Sequence, residues 1–157
     1  MQIDPNLELE VPATYLDSNG HMNIRHYFDL GAQSILSRWR ELGRSSRGAA
    51  ARPLSLFTAE HHLRYLREMR VGEHVSMHAQ MLDRSHNAAH AMAFLVNRST
   101  MELSFTFEAV VVHMDLQTRR AAPFADDVAA KLDAEIERLG NLGWDAPVCG
   151  AMGIRPR

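Results

Sequence analysis

The chain has 157 residues, 46% of them hydrophobic and 23% charged, which is the make-up of one ordinary globular domain, since domains usually run to roughly 100–200 residues. Seventeen Lys and Arg against nineteen Asp and Glu leave a net charge of −2, so no cationic field exists to hold a polyanion and nucleic acid is disfavoured as a partner. No apolar run approaches the ~18 residues of a spanning helix and the start, Met1-Gln2-Ile3-Asp4-Pro5, has no basic-then-hydrophobic leader, while the single Cys149 excludes an internal disulfide framework and a Cys-rich zinc site; a cytoplasmic protein without a membrane partner is expected.

In chain order, Leu7-Glu8-Leu9-Glu10-Val11 alternates like a half-buried strand, and Asp17-Ser18-Asn19-Gly20 turns the chain behind it. Ile24, Tyr27, Phe28, Gly31, Ile35, Trp39 and Leu42 then recur at spacings of three and four, predicting a helix over 23–42 with Asn23 as its N-cap and Gly43 as its stop. Gly31 in mid-helix costs roughly 1 kcal/mol against Ala, so its presence predicts close backbone approach to something flat, as in a sheet wrapped around the helix. A loose stretch, Arg44 to Pro53, follows.

Alternation then replaces the helical period, predicting strands near Leu56–Arg67, Glu73–Leu82, Ala88–Asn97 and Leu103–Asp115, joined by the turn-like Val71-Gly72, Asp83-Arg84-Ser85 and Arg98-Ser99-Thr100. Pro123 and Asp126-Asp127 introduce a second amphipathic helix through Val128, Leu132, Ile136 and Leu139, closed by Gly140; residues 141–157 read as a tail behind a domain over 1–140. This order predicts an α+β fold: an antiparallel five-stranded sheet, one long helix and a short C-terminal helix. Such a sheet retains an exposed edge, so at least a homodimer is expected.

The chemistry concentrates in Tyr15-Leu16-Asp17-Ser18-Asn19-Gly20-His21-Met22-Asn23-Ile24-Arg25-His26-Tyr27, where a carboxylate, an amide and an imidazole fall at alternate positions just before the helix. A helix N-terminus presents unpaired N–H groups that can stabilise the oxyanion formed when a carbonyl is attacked. The same residue types also build a purely structural turn and cap, with His21 as part of the cap.

The order and spacing resemble the hot-dog fold acyl-CoA thioesterases of the 4-hydroxybenzoyl-CoA thioesterase type and the plant acyl-ACP thioesterases. The former carry an Asp before the central helix, a Gly-His-Val-Asn-Asn-like run and a Tyr, matched by Asp17, Gly20-His21-Met22-Asn23 and Tyr27, with Ile24 in place of the second Asn. The latter carry Asp, Asn and His at alternate positions and a later Tyr-x-x-Glu, matched by Asp17, Asn19, His21 and Tyr65-Leu66-Arg67-Glu68; Met69 stands where that branch has Cys, which excludes a thiol nucleophile there.

The resemblance implies a hot-dog domain that hydrolyses an acyl-CoA thioester to free acid and CoA, as a homodimer or homotetramer holding the acyl group between protomers. It makes Asp17 a nucleophile or the general base for water, and the Ile24 amide the oxyanion donor. It gives Asn19 an orienting role, His21 a loop-holding or proton-moving role, and Glu68 a place near the thioester, with Asn23 and Tyr27 as further contacts; His62, which shares the polar parity of Glu60, Arg64 and Glu68, is a candidate for the pocket wall. A CoA thiolate leaves without obligatory protonation, so neither a metal nor a cofactor beyond the substrate's own CoA is expected. The alternative is a noncatalytic hot-dog module that binds acyl-CoA.

Nine histidines raise a metal hypothesis at His61-His62, His74 with His78, and His86 with His90, but no His-Glu-x-x-His motif occurs, and His74 and His78 are expected at a solvated strand face. Met22, Met77, Met81, Met92 and Met101 are expected to fill core or pocket gaps. Arg119-Arg120 with Arg84 or Arg98 are candidates for the CoA phosphates.

Overall fold

The computed structural model describes residues 3–43 and 55–154; the loose stretch expected over 44–53 lies outside the described residues. The elements run β1 (Leu7–Glu10), a short 3-10 turn (Ala13–Tyr15), α1 (Ile24–Gly43), β2 (Leu56–Tyr65), β3 (His74–Arg84), β4 (Ala88–Asn97), β5 (Glu102–Asp115), β6 (Arg120–Ala121) and α2 (Asp126–Gly140). All strand pairings are antiparallel, in the order β1-β3-β4-β5-β2, with β6 added to the end of β5. The sequence omits β6 because two residues carry no detectable alternation.

Alternation, interrupted by register shifts at Thr58/Glu60, Met81/Asp83 and Leu95/Val96, divides the sheet into an inner and an outer face. The inner face carries Met77, Ala79, Met81, Ala91, Ala93, Leu95, Phe105, Phe107 and Ala109, which join Tyr27, Leu30, Ile35 and Trp39 of α1 in one hydrophobic cluster. Alanines across the strand centres let the helix sit close. At the closest point a Cβ built on Gly31 would lie 2.6 Å from Cδ2 and 2.7 Å from Cβ of Phe107, so the mid-helix glycine is required by the aromatic residue beneath it.

α1 begins where Asn23 Oδ1 accepts the Arg25 N–H at 3.1 Å, the cap expected from sequence. α2 carries Asp126 and Asp127 in its first turn and Arg138 in its last, matching the helix dipole. Its buried Glu135 accepts from Arg38 Nε of α1 at 3.0 Å and from the Met81 N–H at 3.3 Å, next to the bulge between Met81 and Asp83 of β3.

The outer face is where the sequence misleads. His78 is 2% exposed rather than solvated: its Nδ1 donates to the Ile3 carbonyl at 2.6 Å and its Nε2 lies 2.8 Å from Ser76 Oγ. Met92 and Phe94 are covered by Ile3, Leu139, Leu142 and Ala146, and Trp144 meets Phe94 edge-on at 5.7 Å. Residues 141–154 have no regular secondary structure, yet they run across this face and bury it. Met101, expected as filler, is 60% exposed in the β4–β5 turn, whereas Met22, Met77, Met81 and Met92 are buried.

Candidate active site

The segment between the 3-10 turn and α1 closes on itself. Leu16 and Met22 form an antiparallel bridge, the Asp17 N–H donates to the His21 carbonyl at 2.9 Å, and Gly20 takes the positive φ of 81° that the turn needs. Asp17 Oδ1 accepts the Asn19 N–H at 2.8 Å and the His21 N–H at 3.4 Å, which fixes the half-buried carboxyl. No hydrogen bond reaches its Oδ2 among the described residues. Met22 N donates to the Met69 carbonyl and Asn23 N to the Tyr15 carbonyl, each at 2.8 Å, locking the turn against its surroundings.

At the helix start, the Arg25 N–H is taken by the Asn23 side chain and the His26 N–H by the Asn23 carbonyl at 3.0 Å. Among the described residues the Ile24 amide makes no hydrogen bond, so it stands available at the helix start. Its side chain is 67% exposed at the edge of a cleft of about 280 Å³ lined by His21, Met22, Tyr27, Tyr65, Leu66, Arg67 and Glu68.

Within the cleft His21 Nε2 lies 2.7 Å from Glu68 Oε2. Tyr27 accepts the Met69 N–H at 2.8 Å and donates to the Arg67 carbonyl at 3.3 Å, so the residues either side of Glu68 are anchored to α1. Burial pushes the Tyr27 phenol up to about 12, which keeps its proton in place. Beyond Tyr27, Phe28 and Phe107 meet His61 at centroid distances of 5.5 and 4.6 Å, and burial lowers the His61 pKa, favouring a neutral ring. His61 lines an apolar pocket of about 320 Å³ between α1 and β2, with Phe28, Ile35, Leu36 and Trp39 of the helix.

The structure therefore brings His21, Ile24, Tyr27 and Glu68 to one cleft and places Asn23 as the cap below it. Asp17 stands across the turn from His21 and is not among the residues lining the cleft, and Asn19 is exposed beside it. His62 is not brought there: it pairs in register with Glu108, and its Nδ1 lies 3.6 Å from that carboxylate on the outer face. The histidine on the helix side is His61, absent from the site expected from sequence although it shares the parity of Leu63 and Tyr65. Arg84, a candidate for CoA phosphates, is held by a bidentate pair with Asp133.

The model of the thioesterase-like superfamily matches residues 11–132, spanning the turn, α1, β2 to β6 and the start of α2. The chain belongs to this superfamily. The betainyl-CoA thioesterase of Pseudomonas aeruginosa is 27% identical over 99% of this chain and 98% of its own length. The L-carnitine dehydrogenase/betainyl-CoA thioesterase of Rhizobium meliloti is 26% identical over 90% of this chain, which spans only 28% of that longer protein. A Staphylococcus aureus protein solved in complex with CoA superposes with a TM-score of 0.79 at 20% identity, covering 99% and 98% of the two chains, a likeness of fold. As a superfamily member, the hot-dog domain is that of a thioester hydrolase.

Proposed function

We propose that the chain cleaves an acyl-CoA thioester to free acid and CoA, with Asp17 and the Ile24 amide as the reacting pair. The uncommitted Ile24 N–H at the start of α1 carries this reading, because it is a donor preorganised for charge that develops on a carbonyl oxygen; one such donor is typically worth about 3–4 kcal/mol. Asp17 Oδ2 either adds to the carbonyl carbon, giving after loss of CoA a mixed anhydride that water cleaves to free acid and the regenerated carboxylate, or takes the proton of the attacking water. When the tetrahedral oxyanion collapses, the carbon–sulfur bond breaks and its electron pair leaves on the CoA sulfur. His21, held by Glu68, is placed to move the accompanying proton, and Asn19 flanks the Asp17 carboxyl. These steps use the chain's own groups and call on no cofactor.

The lining supports a reading of the acyl group. Tyr27 and Tyr65 rings beside the Glu68 carboxylate suit a small cationic acyl group such as the betainyl of the relatives, through cation–π and charge contacts. A second reading rests on the pocket lined by Phe28, Leu36, Trp39 and Phe107, which favours a larger apolar acyl group.

The end position of β2 in the sheet, where β5 is its strand partner among the described residues, and the exposed Phe57, Phe28 and Leu36 support pairing with a second copy, as a homodimer or homotetramer. No helix among the described residues is long and apolar enough to cross a membrane, and the free Cys149 thiol suits the reducing cytoplasm.

Thiol release from betainyl-CoA and a range of apolar acyl-CoAs tests the reading. Wild type should turn over at least one class, with Asp17→Asn lowering kcat/KM by about 100-fold or more and Glu68→Gln by less. Equal turnover by wild type and Asp17→Asn removes Asp17 from the mechanism, and turnover of none of the esters removes the substrate assignment.

A further inference from the structure

On the sheet face turned away from α1, three chain segments bring ligand-type side chains together. Glu108, at the centre of β5, is 0% exposed. Its Oε1 is 2.8 Å from His90 Nε2, and its Oε2 accepts the backbone N–H of Cys149 at 2.9 Å and lies 3.6 Å from His62 Nδ1. His62 Nδ1, the Glu108 carboxylate and Cys149 Sγ all fall within 4.8 Å of one another.

We infer that His62, Glu108 and Cys149 form a divalent metal site of the zinc-binding type that clasps the tail to the outer face of the sheet. Four observations carry it. First, a fully buried carboxylate needs a compensating cation, and among the described residues its only ion-pair partners are two imidazoles, with no Lys or Arg in contact. Second, His62 Nδ1 is itself buried without a hydrogen-bond partner, although the side chain as a whole is 40% exposed. At 3.6 Å it is too far from Glu108 for a hydrogen bond. The spacing is close to the roughly 3.4 Å that separates an N and an O ligand on one tetrahedral zinc ion with bonds of about 2.0–2.2 Å.

Third, Cys149 Sγ accepts the Ala151 N–H at 3.4 Å, which fixes the sulfur in the turn of the tail that lies against Glu108. Fourth, the charges balance: once binding has removed the thiol proton, thiolate, carboxylate and neutral imidazole sum to −2, which a divalent ion cancels beside the fully buried Glu108 carboxylate. Binding releases the thiol proton to solvent and changes no oxidation state. A thiolate, imidazole and carboxylate together select zinc over magnesium or calcium, and the fourth tetrahedral position is left for water. His90 then plays the outer role of fixing the Glu108 carboxylate through its other oxygen. The exposed flank of the His62 ring provides the entry path.

No local motif announces this site, because its ligands come from β2, β5 and the tail, 46 and 41 residues apart along the chain, while motif reading depends on close spacing. That is why no metal is expected from sequence. The site lies on the opposite sheet face from the cleft, so its test does not depend on the catalytic reading.

Cys149 is the one cysteine of the chain, so thiol labelling reads this position alone. Chelator-stripped full-length protein is titrated with Zn²⁺, and separately with Co²⁺ as a spectroscopic substitute. One equivalent of Zn²⁺ should slow labelling at least tenfold, and Co²⁺ should produce a near-ultraviolet thiolate charge-transfer band that Cys149→Ser abolishes. His62→Leu and Glu108→Gln should each weaken Zn²⁺ binding tenfold or more; if Glu108→Gln fails to fold, the half-exposed His62 and Cys149 positions carry the comparison. Unchanged labelling in excess Zn²⁺, or equal Zn²⁺ affinity in wild type, His62→Leu and Cys149→Ser, would overturn the assignment and leave a hydrogen-bonded fastening without metal.

Discussion

The Tyr27 hydroxyl accepts the buried Met69 amide at 2.8 Å, joining the second turn of α1 to the residue that follows Glu68. Removing that hydroxyl in Tyr27→Phe orphans a buried N–H, which typically costs about 1–3 kcal/mol. It also frees the Glu68 segment from the helix. Urea unfolding should show the loss of stability, and steady-state kinetics should show kcat falling more than KM rises. Because the phenol is pushed up to about 12, no Tyr27 limb should occur in the pH–rate profile between pH 5 and 10.

Gly31→Ala should destabilise, against the helix propensity that alone would give a gain of about 1 kcal/mol. The new methyl would meet Phe107 Cδ2, Cβ and Cγ at 2.6–2.8 Å, and the Cβ cannot swing aside without moving β5. A net loss of about 1–3 kcal/mol by chemical denaturation is the expected result, the range seen for overpacked cores.

Asn23→Ala removes the cap that consumes the Arg25 amide, at a typical cost of about 1 kcal/mol. With two free amides at the helix start, the Ile24 N–H loses its fixed aim. Thioester turnover should drop in Asn23→Ala and be largely restored in Asn23→Asp, which keeps the acceptor. Equal rates in all three proteins would separate the cap from the chemistry.

Burial holds the His78 pKa below its ordinary 6.5, and the nearby Arg98 charge adds to this. A histidine whose folded pKa is lowered binds fewer protons folded than unfolded near that pH. Its contribution is therefore fully present above about pH 6.5 and is lost as the pH falls below it. Wild type should lose stability between pH 7.5 and 5.5. His78→Gln should be less stable at pH 7.5 but show a smaller decline, and an equal decline would show that other groups govern the acid limb.

The sequence makes most of the architecture legible because burial enforces periodicity. α1 and β4 fall within a residue of where the spacing of Ile24 to Leu42 and the run Ala88–Asn97 put them, and Gly31 announces its close neighbour. Asn23 and the Asp17 turn are legible too, since caps and Asx turns are local chemistry. What escapes reading is non-local. The face to which His61 and His62 point depends on which side of β2 meets the helix. His78 looks solvated until the tail is laid over it, and the neighbours of Glu108 come from remote parts of the chain.

The outer-face covering by residues 141–154 has a consequence for assembly. With Trp144 on Phe94 and the Cys149 amide on Glu108, that surface is already spoken for within one protomer. Oligomers that stack sheets back to back would first have to peel this strap away.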